Sequence, residues 1–209
     1  MNNNVRVFFS KAGRAIYISH LDLYRVFQRA VKRCKLPVWE TQGFNPHIYI
    51  TFTLPLALGT EGVCESLDTK LTEDISFEEI KDRLNSALPK DIRVLYAAEP
   101  VYKNTDVEKS EYEINVSADF GKLTEFFAQE QIITQKKTKK GISDIDLKPM
   151  IEIVEHKEGF IKMRLPSGTE TNINANLVFE AFEKQYNVEI DSLIIKRTAV
   201  YCKNGEIFR

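Results

Sequence analysis

The chain has 209 residues, 43% of them hydrophobic and 28% charged, with a formal net charge of −1. That length and apolar content fit one large domain or two small ones with real cores, and no run of about 18 apolar residues offers a membrane-spanning helix. The near-zero balance argues against a chain that coats polyanions over its whole surface, while leaving a local basic patch open, because binding depends on where charges sit.

Val5 to Phe9 is β-rich, and Ala15–Ile18 adds a short apolar run. Ser19 offers a helix N-cap, with Asp22 in the acidic position of the capping box. In the segment LDLYRVFQRAVKRCK, Leu23, Phe27, Ala30 and Cys34 recur at helical spacing and define a buried stripe, and Pro37 stops the helix. His47–Leu54 alternates as a strand, with Val63–Leu71 as its partner. Ser76-Phe77-Glu78-Glu79 is a second capping box, opening a helix with Phe77, Ile80, Leu84 and Leu88 on one side. Pro89 ends it, and Ile92–Ala97 is a further strand. The order strand, helix, strand, strand, helix, strand is ferredoxin-like.

Glu99–Glu111 is polar and reads as a linker. The second half then repeats the order. Glu111–Ala118 is a strand, Asp119 caps a helix through Gln129, and Ile132–Lys136 begins another strand. Asp146–Val154 and Phe160–Leu165 are extended and can pair, Asn174 caps a helix, and Ser192–Cys202 closes as a long strand. The expected fold class is therefore α+β, with two tandem ferredoxin-like (βαββαβ) units at residues 1–100 and 110–209.

The strongest electrostatic feature is the outer face of the first helix. Arg25, Arg29 and Lys32 fall at spacings of four and three and line up, and Arg33 flanks them. Lys11 and Arg14 precede the helix, and Asp22 is the only acid between Ser19 and Glu40. These six cations form a candidate RNA- or anion-binding surface; the same pattern also fits a solvated helix face. In the turn Gly43-Phe44-Asn45-Pro46-His47, glycine permits positive φ and Pro46 holds Asn45 extended. Phe44, Asn45 and His47 on a stiff turn suit recognition of phosphates or base edges. Gln135–Gly141 is a second basic run, read as an exposed hairpin tip or loop.

His20 and His47 are the weak candidates for acid–base work, with Glu65 or Asp68 nearby. Gly-x-Ser-x-Gly, His-Glu-x-x-His and phosphate-loop sequences are absent, so the usual hydrolase, zinc-protease and nucleotide-triphosphatase readings lose support. Three scattered histidines and three scattered cysteines give no close ligand pair, so neither a metal site nor a cofactor is expected. Cys34, Cys64 and Cys202 make no CxxC pair and read as reduced, partly buried thiols. The start, MNNNVRVFFSKAG, lacks the basic segment and apolar block of a signal peptide, so a cytoplasmic protein is expected.

Phe9-x-Lys11-x-Gly13, Ser19-His20-Leu21-Asp22-Leu23, Arg29-Ala30, Leu36-Pro37, Gly43-Phe44-Asn45-Pro46-His47, Leu56-x-x-Gly59 and Glu65-x-x-Asp68 occur in that order. In this combination the chain resembles the radical-SAM-linked protein family, a bacterial domain of poorly defined function found beside or fused to a cobalamin-binding-type radical SAM protein. Asp146-Leu147-Lys148-Pro149 fits that family's second half. The resemblance implies a radical SAM protein as partner and, through gene neighbours of ribosomal and ribonuclease type, a link to RNA metabolism. The tandem pattern is also similar to RAMP-type RNA-processing endoribonucleases, although the tail Lys203-Asn204-Gly205-Glu206 has one glycine where those proteins have a glycine-rich segment. Three functions follow as expectations: an RNA-binding accessory of a radical SAM enzyme; a docking module for that enzyme without nucleic-acid contact, with Thr41–Asp68 as an interface hairpin and Pro55-Leu56-Ala57-Leu58 as an exposed apolar contact; or a metal-independent ribonuclease or transferase using a histidine.

Overall fold

A computed structural model describes residues 3–138, 141–169 and 171–209. The chain is mixed α+β, with antiparallel pairing in its sheets and four α-helices among the described residues. It forms two compact units, Met1–Asp106 with Glu206–Arg209, and Val107–Gly205.

The first unit runs β1 (Asn4–Lys11), α1 (His20–Arg33), β2 (Ile50–Phe52), β3 (Glu61–Lys70), α2 (Phe77–Ala87) and β4 (Ile92–Ala98). The strands lie in the order β4-β1-β3-β2. Alternation along β1 sends Val5, Val7 and Phe9 to one face, where Leu23, Phe27 and Ala30 of α1 and Ile80 and Leu84 of α2 cover them. Each of these valine, leucine, isoleucine and phenylalanine side chains contributes roughly 1.5–3 kcal/mol when fully removed from water. The other face carries Arg6, which is 1% exposed. Its guanidinium donates to both Asp68 carboxylate oxygens at 2.7 and 2.8 Å, to the Tyr102 and Arg209 carbonyls, and to Asn104 Oδ1, and it lies 4.1 Å over the Phe208 ring. Phe208 and Arg209 are thereby fastened into this unit.

Several elements differ from the sequence expectation for physical reasons. Ser19 does cap α1, accepting from the Asp22 amide, but the helix ends at Arg33, where the chain turns through the left-handed conformation at Lys35 before reaching Pro37. The buried stripe takes Val31 in place of Cys34, which is only half-buried at the cap. The short apolar run after Arg14 lies largely in a 3-10 turn, Gly13–Tyr17. His47–Tyr49 spend backbone bonds on a local hairpin, Thr41 N to His47 O at 2.8 Å and Tyr49 N to Trp39 O at 3.0 Å, so β2 shrinks to three residues. Phe77 sits in the first turn of α2 and is exposed.

The second unit runs β5 (Val107–Ser117), α3 (Phe120–Ala128), β6 (Ile133–Thr138), β7 (Gly141–Asp146), β8 (Glu152–Lys157), β9 (Phe160–Pro166), α4 (Ala175–Tyr186) and β10 (Ser192–Cys202). The order β10-β5-β9-β8 repeats the pattern of the first unit, and β6 with β7 makes a separate two-stranded ribbon. Ile114, Met163, Phe126 and Phe182 are fully buried at the centre of its core. Asp146–Val154, expected as one strand, is broken by a 3-10 turn at Lys148–Met150. Asp146 Oδ1 accepts from the Ile132 and Lys148 amides at 2.9 and 3.0 Å, and Lys148 Nζ donates to the Phe127 carbonyl, so Asp146-Leu147-Lys148-Pro149 closes the fold locally. In the basic run, Lys136 donates to the Asn172 carbonyl at 2.7 Å; Lys139, Lys140 and the side chains of Lys137 and Thr138 lie outside the described residues. No described helix is long and apolar enough to cross a membrane.

Candidate functional site

The outer face of α1 is built by helical spacing: Asp22, Arg25, Arg29 and Lys32 succeed one another along one exposed row. Arg25 is committed to Asp22, Nη1 to Oδ1 at 3.0 Å. The Ser19 hydroxyl first, and then Arg25, hold the Asp22 carboxyl below its ordinary pKa, so it stays ionised at the helix N-terminus. Arg29 and Lys32 are exposed and make no hydrogen bond or ion pair among the described residues. Arg33 donates to the Ala87 carbonyl at 3.0 Å, tying α1 to the end of α2. Arg14 is exposed on a turn held from below by Asp91, whose carbonyl and carboxylate accept from the Ala12 and Arg14 amides.

Lys11 does not join this surface. It is 2% exposed, because it continues the inward register of Val7 and Phe9, and its ammonium donates to the Ile18 carbonyl at 3.3 Å. It therefore serves the interior at the start of α1, a correction to its expected place among the surface cations.

The second component is the hairpin Trp39–Tyr49. Trp39 and Tyr49 pack edge to face, 5.8 Å between centroids, at its base. Higher up, Thr41 Oγ1 lies 2.9 Å from His47 Nδ1 and accepts from the His47 amide at 3.1 Å. Gly43, at φ 141°, lets the tip turn, and Phe44 stands fully exposed there with Asn45 and His47 also in water. Tyr24 of α1 donates to the Ile48 carbonyl at 3.4 Å, so the stem is bonded to the helix next to Arg25. Arg14, Arg25, Arg29, Lys32, Phe44, Asn45 and His47 are each exposed on the first unit.

At the N-terminus of α1 the His20 ring sits edge-on to Phe52, 5.1 Å between centroids. Burial, and then the Lys11 charge, lower its pKa from the ordinary value and favour neutral imidazole. Glu65 is buried opposite Phe9 in the β1–β3 register. A one-residue bulge brings Gly62 opposite Lys11, and a Cβ on Gly62 would fall 2.3 Å from Glu65 Oε1, so the carboxylate lies directly over that glycine. Lys11, His20 and Glu65 are therefore neighbours on the helix side of the sheet, whereas Asp68 belongs to Arg6 on the opposite face. His47 lies in the hairpin and is not part of this cluster. Among the described residues no group of three or more His, Cys, Asp or Glu is arranged to hold a metal ion.

Leu58 lies in the run Pro55–Leu58 expected as an exposed apolar contact, whereas Tyr17 and Leu21 were passed over by the sequence reading. Tyr17, Leu21 and Leu58 are each more than half exposed, and the Gly59 amide donates to the Ile16 carbonyl at 3.0 Å, bringing Leu58 against the segment that carries Tyr17. Trp39 and Tyr49 were likewise missed, because their pairing depends on the hairpin closing.

Residues 4–175 match the family described as an uncharacterized protein conserved in bacteria, DUF2344. No curated protein matches the chain. Among solved structures it is similar to an unknown protein from Galdieria sulphuraria, 15% identical over 93% of this chain and 98% of that one, with a TM-score of 0.29. It is also similar to a putative glycine cleavage system transcriptional repressor, 12% identical over 93% and 97%, with a TM-score of 0.25. Likeness at those scores carries no argument about fold or function.

Proposed function

The chain belongs to DUF2344, a family of uncharacterized proteins conserved in bacteria, and from its own residues we propose that it is an RNA-binding accessory protein working with a radical SAM enzyme. The observation that carries the RNA half is the exposed pair Arg29 and Lys32, which make no hydrogen bond or ion pair among the described residues, with an exposed aromatic hairpin bonded to the same helix and Arg14 exposed on the turn that precedes it. Phosphates are held by such cations and bases by such rings. The radical SAM partner rests on the ordered motifs between Phe9 and Asp68. Each unit is read as ferredoxin-like, from its βαββαβ order, with the β6–β7 ribbon inserted in the second, and from the strand orders β4-β1-β3-β2 and β10-β5-β9-β8.

The test is retention of cellular RNA across a salt series, for the wild type and for Arg29→Glu/Lys32→Glu. Each phosphate contact contributes roughly 0.7 to the logarithmic salt slope for single strands, so loss of two lowers it by about 1.4. Wild-type affinity that is unchanged in the double variant would remove the helix from the account.

A second reading has its own support. Tyr17 and Leu58, exposed on segments joined by the Gly59–Ile16 backbone bond, with Leu21 exposed at the start of α1, suit a protein partner, which makes the chain a docking module for the radical SAM protein. Leu58→Asp is expected to abolish co-purification of that partner while leaving RNA retention intact; the reverse pattern would count against docking here.

A further inference from the structure

We infer that the Trp39–Tyr49 hairpin is a base-stacking element, so that this surface selects single-stranded over duplex RNA; the inference rests on the RNA-binding reading above. The argument starts from how much backbone order is spent on holding one ring in water. The stem is closed by the Thr41–His47 and Tyr49–Trp39 backbone bonds and again by Thr41 Oγ1 against His47. Pro46 stiffens the far side of the tip, and the Trp39–Tyr49 contact fills its base. Phe44 gains no burial from any of this, and both faces of its ring are open.

The charge on the helix that the stem is bonded to suits a nucleic-acid strand. Arg29 and Lys32 are uncommitted on the adjoining helix, and Asp22, the one acid of that helix, is neutralised by Arg25. Glu40 in the hairpin stem is the nearest acid in sequence to the tip. Single strands offer unstacked bases to an aromatic ring, and stacking of this kind is tolerant of sequence. In a duplex both faces of each base are already occupied, so Phe44 gains a contact only after a step is unstacked. The cations, by contrast, meet phosphates in either form. The division of labour is specific: Phe44 sets the preference for single strands, and Arg29 and Lys32 set the affinity for both.

The experiment measures binding of a labelled single-stranded RNA and of the blunt duplex of the same sequence, at low salt. Wild type, Phe44→Ala, Phe44→Trp and Arg29→Glu/Lys32→Glu are compared. Phe44→Ala is expected to weaken single-strand binding roughly 5- to 150-fold and leave the duplex unchanged, while Phe44→Trp retains it. The double variant loses both. Trp39, the sole tryptophan, gives a second readout, since its emission should change with the single strand and not with the duplex. Because Phe44 buries nothing, its substitution leaves the melting temperature in place as a control for folding. Equal binding of the two forms, or no effect of Phe44→Ala on the single strand, overturns the stacking role while leaving the RNA reading standing. No binding of either form by the wild type overturns both. Loss of a protein partner, with RNA binding intact, reassigns the ring to a protein pocket.

Discussion

Thr41 Oγ1 and His47 Nδ1 stand 2.9 Å apart across the neck of the exposed hairpin, and the same hydroxyl accepts the His47 amide. One threonine therefore holds both the backbone and the ring of the histidine that borders the tip. Thr41→Val keeps the shape of the side chain and removes both bonds, each worth about 1 kcal/mol net. Because the neck is local, the loss is expected as faster amide exchange at Thr41 and His47, whose amides carry the neck's hydrogen bonds, with the global melting temperature barely moved. Hydrogen exchange followed residue by residue is the measurement; unchanged protection at those two amides would show that the backbone bonds suffice.

On the opposite face of the first unit, Arg6 and Asp68 form a bidentate pair beneath the segment that ends the described chain. Asp68→Ala leaves a guanidinium that is 1% exposed without its carboxylate. Breaking a buried pair by removing one partner costs about 3–5 kcal/mol. The variant is expected to lose that much in denaturant unfolding and to release Phe208, which stacks on Arg6, as early proteolysis of the 206–209 segment. Asp68→Asn, which retains an acceptor, should lose less. If the two variants fall equally and little, the pair is not what fastens the tail.

These two relationships mark what a sequence reveals and what it hides. The helices were legible because their signals are local: Ser19, Ser76, Asp119 and Asn174 each cap the helix that follows, accepting a backbone amide two or three residues on. Arg25, Arg29 and Lys32 were legible as a row for the same reason. Lys11 was not, because whether a lysine on a strand faces water depends on which face the helices cover, a long-range fact. The turn at Gly43–His47 was legible, but His47–Tyr49, the far arm of the hairpin, read as the start of a strand, since its alternation is strand-like and only the Trp39 and Thr41 bonds show that pairing goes backward rather than to β3. Glu65 beside Lys11 needed the bulge opposite Phe9 and Lys11, which no spacing rule marks.

His20 offers a pH test of that hidden cluster. Burial and the Lys11 charge favour its neutral form in the folded protein, so the unfolded chain binds the additional proton. The stabilisation is present above the unfolded pKa of about 6.5 and is lost as pH falls through the lower folded value. Nuclear magnetic resonance titration of the ring should therefore give a midpoint below its ordinary value, and Lys11→Met should raise it. In His20→Gln the fall in stability between neutral and mildly acidic pH should be shallower than in the wild type. A His20 midpoint at or above the ordinary value would separate Lys11 from the ring.

Glu111 tests the second unit in the opposite direction. Its burial pushes the carboxyl pKa up, but hydrogen bonds from Lys162 and Arg164, the Lys162 charge and the Tyr201 hydroxyl outweigh that and hold it below the ordinary value. The contacts are 3.1 Å to Lys162, 2.9 Å to Arg164 and 3.2 Å to Tyr201, on the charged face of the β5–β9 pair. A depressed carboxylate contributes stability that is complete above its unfolded pKa and lost as pH falls through the folded one. Glu111→Gln keeps the shape, gives up the charge and turns an amide donor toward two cations. A loss of about 1–3 kcal/mol is expected at neutral pH, from the hydrogen bonds to charged groups. That gap should narrow as pH falls below about 4, the ordinary carboxyl range of the unfolded chain, and through the lower folded value. Denaturant midpoints for both proteins across that range are the measurement. A gap that stays constant would mean that shape and packing, rather than charge, set the contribution of Glu111.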